Sequence, residues 1–168
     1  ARLALSIVVN VEEGAEMSVA DGDSRAEAVD EMGMMVKPGI RNFSNESNYA
    51  YGIKAGAPRI MDMLARRNLP ATFTAAAQSL ERAPEIARRI ADDGHETCAH
   101  GYRWQVQHNM DEETERAFIR RAAQSIEQTT GARPVGWLSR YLFTANTRRL
   151  LIEEDYRYHM DDYSDDKP

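Results

Sequence analysis

The chain has 168 residues, 29% of them charged and 42% hydrophobic, with a formal net charge of −6. That balance fits one globular domain with a sizeable core and excludes a disordered chain. No apolar run reaches the roughly 20 residues of a membrane helix, no signal-peptide pattern opens the chain, and the negative charge argues against nucleic-acid phosphate. The single Cys98 excludes an intrachain disulfide and a cysteine-rich zinc cluster. The expectation is a cytoplasmic protein acting on a small neutral molecule.

The run LALSIVVNV (3–11) is β-branched, apolar and of strand length, and EEG ends it. GAPRIMDMLARRNL (56–69) gathers Ala57, Ile60, Met63 and Leu64 on one helical face, and Pro70 stops it before a second strand, ATFTAAA (71–77). APEIARRIADDG predicts a helix with Pro84 in its first turn and Gly94 just past its end, followed by a short strand, HETCAH. MDEETERAFIRRAAQSIEQTTG predicts a long amphipathic helix with Asp111 as N-cap and Gly131 as stop. RPVGWLS, TANTRRLLIEEDY and YRYHM complete the order as strand, helix and strand.

Strand and helix alternate with short connections, which implies an α/β fold of parallel strands joined by right-handed crossovers. Five such steps are too few for a closed barrel of about 250 residues, so the pattern predicts part of a longer barrel or one segment of a cleaved enzyme. The connection from 12 to 55 is long and polar and contains RNFSNESNYAYG. It reads as a binding loop or a lid.

In parallel α/β folds ligands bind outside the carboxyl ends of the strands. Those ends carry Glu12 and Glu13, His100, Ser139 and Arg140, and Asp161 and Asp162. A carboxylate desolvated in such a cleft can rise toward neutral pKa and act as a general base on water. His100 could donate to an oxyanion or pass a proton to a leaving group, and Arg140 could fix a polar substrate or neutralise the carboxylates. Alternation along a strand lets only one of Glu12 and Glu13 face the site, and the residues do not say which. His95 falls on the opposite parity and reads as structural, as does His159, while Cys98 reads as a small buried apolar residue.

Taken in order, VNVEEG, GHETCAHGYRW, ARPVGWLSR and MDDYSDD resemble the polysaccharide-deacetylase superfamily, also called NodB-like or carbohydrate esterase family four. The resemblance covers most of the chain. It implies an irregular parallel (β/α) barrel of roughly seven or eight strands, with 1–168 a single domain lacking the C-terminal strands, and hydrolysis of non-peptide C–N bonds. Typical members hold a divalent metal through an aspartate of a T-F-D-D motif and two histidines of an H-[ST]-x-x-H motif. In this sequence Glu12 takes the position of the base and Glu13 that of the metal-binding aspartate. His100 is retained, and Trp104 stands where the second histidine belongs.

Tryptophan cannot ligate a divalent ion, so no cofactor is expected, with a metal such as zinc as the alternative. These departures resemble the metal-independent allantoinase group, which implies ring-opening of a small cyclic amide or ureide. Catalysis would fall to Glu12 or Glu13, His100, Arg140 and Asp161. Arg41, Asn45, Glu46 and Tyr49 on the long connection, with Tyr102, Trp104 and Ser139, would bind the ring. The alternatives are a metal-dependent polysaccharide N-deacetylase and a non-catalytic barrel fragment binding a ligand or partner chain. Expected partners are a small cyclic amide and either a second copy or a second chain completing the barrel, with neither nucleic acid nor membrane.

Overall fold

The computed structural model describes residues 3–27 and 36–164. Five strands, β1 (Val8–Val11), β2 (Thr72–Ala75), β3 (Glu96–Ala99), β4 (Gly136–Trp137) and β5 (Tyr158–His159), form one parallel sheet in sequence order. Parallel neighbours in sequence order need a crossover at every step, and helices provide them. These are α1 (Phe43–Tyr51) with α2 (Ala57–Arg67), α3 (Ala77–Arg82) with α4 (Pro84–Asp92), α5 (Glu112–Thr130) and α6 (Thr147–Glu153).

Strand parity sorts the two sheet faces. Val11, Phe73, Ala75, Ala99 and Trp137 belong to one buried cluster with Met61 and Leu64 of α2, Leu80 of α3, Ile86 and Ile90 of α4, Ile119 and Ile126 of α5, and Leu150 of α6. Burying each large side chain there contributes about 1.5–3 kcal/mol, which is why the helices stay on this face. The intervening positions Asn10, Thr74 and Cys98 pair across β1, β2 and β3 and line the other face.

The helix ends follow local chemistry. Asp111 caps α5 by accepting from Thr114 N at 2.8 Å, and Gly131 closes it with φ 80°. Pro84 opens α4, and Gly94 follows it at φ 73°. For α2 the terminating residue is Asn68, left-handed at φ 50° with its N–H on Ala65 O and Leu64 O, two residues before Pro70.

The predicted strands are longer than the observed ones. Only residues 8–11 of the first run pair, and Ala77 already opens α3. The largest correction concerns the connection 12–55. Its FSNESNYAY stretch is helix α1, started by Asn42, whose side chain accepts from Asn45 N, and continued by a π-helical segment, Gly52–Gly56, into α2. Polar composition concealed it, because caps and packing on a neighbour can support a helix without an apolar stripe. Residues 28–35 of that connection lie outside the described residues. No helix among the described residues is long and apolar enough to cross a membrane.

Candidate active site

Glu12 and His100 meet at the carboxyl ends of β1 and β3. Each follows its strand on the face opposite the core, two residues beyond Asn10 and Cys98, and Glu12 Oε1 lies 3.2 Å from His100 Nε2. The other imidazole nitrogen, Nδ1, is 2.7 Å from Leu138 O, beyond β4. A carbonyl only accepts, so Nδ1 carries hydrogen, and the Nε2–Oε1 contact then requires one proton shared between imidazole and carboxyl. Asn10 Nδ2 donates to the same Glu12 oxygen at 2.9 Å, and Thr74 Oγ1 donates to Asn10 Oδ1. Burial pushes the Glu12 carboxyl up, but His100, Asn10 and the Arg140 charge together hold it below its ordinary value. Desolvation alone would raise it toward neutrality, but here the donors outweigh desolvation.

Arg140 forms a second element of the site. Its guanidinium stacks 4.0 Å from the centre of the Trp104 ring, donates to Trp104 O at 2.5 Å and pairs with Glu27 Oε1 at 3.1 Å. Its Nε is buried without a hydrogen-bond partner. Asp161 accepts from Ser139 N at 2.8 Å. A cavity of about 260 Å³ is bounded by Glu12, His100, Trp104, Ser139, Arg140 and Asp161, with Asn10, Leu138, Tyr141, Phe143 and Tyr163 completing the wall.

Six of the predicted site residues thus come together, and six do not. Glu13, one residue on from Glu12, turns to the helical side, where it packs on Gly52 so closely that a Cβ there would overlap it, and its Oε2 accepts from Glu12 N at 3.2 Å. Arg41 and Glu46 pair with each other at the surface, where each shifts the other toward its charged form. Asn45 is buried beside Glu16 and Glu27. Tyr49 sits edge-on to Trp104 at 6.1 Å and supports that ring without lining the cavity. Tyr102 is packed in the core, with its hydroxyl on Glu81 and Arg121 over its ring. Apart from these six, the strand-end carboxylate Asp162 points to solvent, where Ser164 and Arg148 hold its carboxyl down to about 2. From the connection 12–55, Glu12 lines the cavity and Glu27 reaches its edge by pairing with Arg140.

Sequence reading missed Asn10, Glu27, Tyr141, Phe143 and Tyr163. Asn10 had a signal, being the one amide inside an apolar strand and two residues before Glu12. Glu27 had none, because its pairing with Arg140 spans 113 positions.

The sequence profile of the polysaccharide deacetylase family matches residues 47–159. The chain belongs to this family. The arc of parallel strands corresponds to the family's (β/α) barrel, present here in part. A Schizosaccharomyces pombe protein described as a polysaccharide deacetylase is 30% identical over 179 residues, spanning 99% of this chain and 55% of its own length. A crystal structure described as a polysaccharide deacetylase of Pseudomonas aeruginosa PAO1 superimposes with a TM-score of 0.91 at 44% identity, over 99% of this chain and 56% of the other. The crystal structure of Puue allantoinase superimposes with a TM-score of 0.90 at 41% identity, over the same shares. The chain spans about half the length of these relatives. Against the family's metal motif, the structure places Arg140 over Trp104. Among the described residues no group of three or more His, Cys, Asp or Glu is arranged to hold a metal ion.

Proposed function

We propose that this chain carries the site of an amidohydrolase that opens a small cyclic amide of the ureide type without a metal. The observation that carries the reading is the Arg140 guanidinium stacked 4.0 Å from the Trp104 ring centre and paired with Glu27 inside the cavity wall. A fixed cation occupies the Trp104 side of the site, which disfavours a divalent ion beside it. Of the remaining donors, Glu12 and His100 are hydrogen-bonded to each other, and Asp161 accepts from Ser139 N. This donor set does not fit a tight zinc site.

The chemistry then rests on the protein's own groups. With the shared proton on His100, Glu12 is a carboxylate able to take a proton from water as it attacks a ring carbonyl, and His100 can deliver its proton to the departing nitrogen. One protonation state serves both steps. The Arg140 guanidinium in the cavity wall supplies positive charge near a carbonyl oxygen as it gains charge, and a wall containing Trp104, Tyr141 and Phe143 suits a planar ring. A volume of about 260 Å³ suits one small ring better than an oligosaccharide. The likeness to Puue allantoinase supports the same class of substrate.

A second reading, a metal-dependent deacetylase of acetylated sugars, draws on the names of the deacetylase relatives. The deciding experiment is a panel of allantoin, hydantoin, dihydropyrimidine, cyclic imides and chitin oligomers, run with and without chelator. Ring opening that survives chelation is the expected result. Acetate release abolished by chelation would replace this reading with the second one.

A further inference from the structure

The segment from Leu138 to Asn146 supplies Leu138, Ser139, Arg140, Tyr141 and Phe143 to the cavity wall, yet it contains no regular helix or strand after β4. Ordering such a segment costs conformational entropy at every residue, so specific bonds must hold it. The demand is greater here because Tyr141 is left-handed at φ 55°, a conformation that a side-chain-bearing residue adopts only when its surroundings impose it. Arg140 and the Asp161–Ser139 hydrogen bond hold the near end of the segment.

Glu115 holds the far end from outside the cavity. This fully buried side chain in the first turn of α5 accepts from Thr144 Oγ1 at 2.5 Å, from Thr147 Oγ1, and from Gln107 Nε2 at 2.8 Å. Gln107, also fully buried, lies on the loop after β3 that carries Trp104. The two loops are joined directly as well, since the Gln107 and His108 amides donate to Leu142 O at 3.2 and 3.1 Å. One buried carboxylate therefore ties the Trp104 loop and the Arg140–Phe143 loop to the same helix.

We propose that Glu115 is a positioning residue that sets the spacing of the cavity's aromatic wall without touching the substrate. The kinetic consequence rests on the amidohydrolase reading, whereas the structural one does not. Glu115→Gln keeps the shape but leaves a single acceptor oxygen for three donors. In the full protein, amide exchange over 105–110 and 141–147 is expected to accelerate about tenfold while β1 to β3 stay protected. KM for the hydrolysed ureide is expected to rise about tenfold with kcat within about twofold.

Unchanged exchange in both loops overturns the proposal whatever the activity. Exchange that rises across the whole chain, or a kcat loss at constant KM, also overturns it, because the effect would then be global stability or chemistry. Should Glu115→Gln fail to fold, the Thr144→Val/Thr147→Val double variant removes two donors, leaves the carboxylate in place and carries the same expectations. A wild-type protein that opens no ring refutes the functional reading alone, and the exchange result still decides the role of Glu115.

Discussion

Glu12 Oε1 and His100 Nε2 stand 3.2 Å apart, and the second imidazole nitrogen is committed to Leu138 O, so carboxyl and imidazole share one proton at the ends of two strands that are not neighbours. Only β2 separates them, and its Thr74 fixes the Asn10 amide that in turn orients Glu12. Glu12 with Asn10, Thr74 and His100 thus come from three adjacent strands on one sheet face.

This pairing separates the two glutamates. Glu12→Gln is expected to lower kcat about 10²- to 10⁴-fold, the usual contribution of a positioned general base. Glu13→Gln should cost far less, since Glu13 faces Gly52 and touches the site only through the Glu12 backbone amide. Steady-state kinetics on both variants checks the assignment, and a larger loss in Glu13→Gln would reverse it.

The pH dependence follows from the direction of the Glu12 shift. Its folded carboxyl lies below the ordinary value because His100, Asn10 and Arg140 outweigh burial. Folding stability from these contacts is therefore fully present above the unfolded glutamate range and is lost as pH falls through the lowered folded value. The acid limb of kcat/KM should likewise lie below about 4.3, the ordinary glutamate pKa. A limb near neutrality would identify a different base.

Arg140→Lys keeps one positive charge but cannot stack flat on Trp104 while bonding both Trp104 O and Glu27. A loss of about 1.5–3 kcal/mol of transition-state stabilisation, roughly tenfold to a hundredfold in kcat/KM, is expected from one charged hydrogen bond. Added metal should not restore it. Rescue by zinc would show that the guanidinium stands in for an ion and that the site retains metal affinity.

At the other end of the sheet, Gly136 is required by contact. A Cβ there would overlap the Tyr158 ring, whose hydroxyl reaches across to Glu96 at 2.8 Å. Gly136→Ala should cost about 1–3 kcal/mol in overpacking, measured by denaturant unfolding. Unaltered stability would mean that Tyr158 has room to move.

Burial, with Glu96 and Asp161 nearby, pushes the Cys98 thiol up to about 12 against the opposing hydrogen bond of Tyr158. In the folded protein it should resist alkylation at pH 8, and it should react at once on unfolding. A rapidly modified native thiol would contradict its burial.

The amino-acid order by itself determined the parallel α/β architecture, because apolar periodicity, Pro84, Asp111 and Gly131 act on a few neighbouring residues each. It also carried His100 and Trp104, which stand in a recognisable local motif. Choosing Glu12 over Glu13 required the faces of the sheet, since adjacent strand residues point oppositely and either parity was open. The helix hidden in FSNESNYAY depended on a cap and on packing rather than on composition. Tyr102 turned into the core because Glu81 and Arg121 were there to satisfy its hydroxyl and ring. Glu27 against Arg140, and Glu115 against Gln107, Thr144 and Thr147, were decided only by tertiary structure. Buried charges take partners by proximity in space, and distance along the chain carries no record of it.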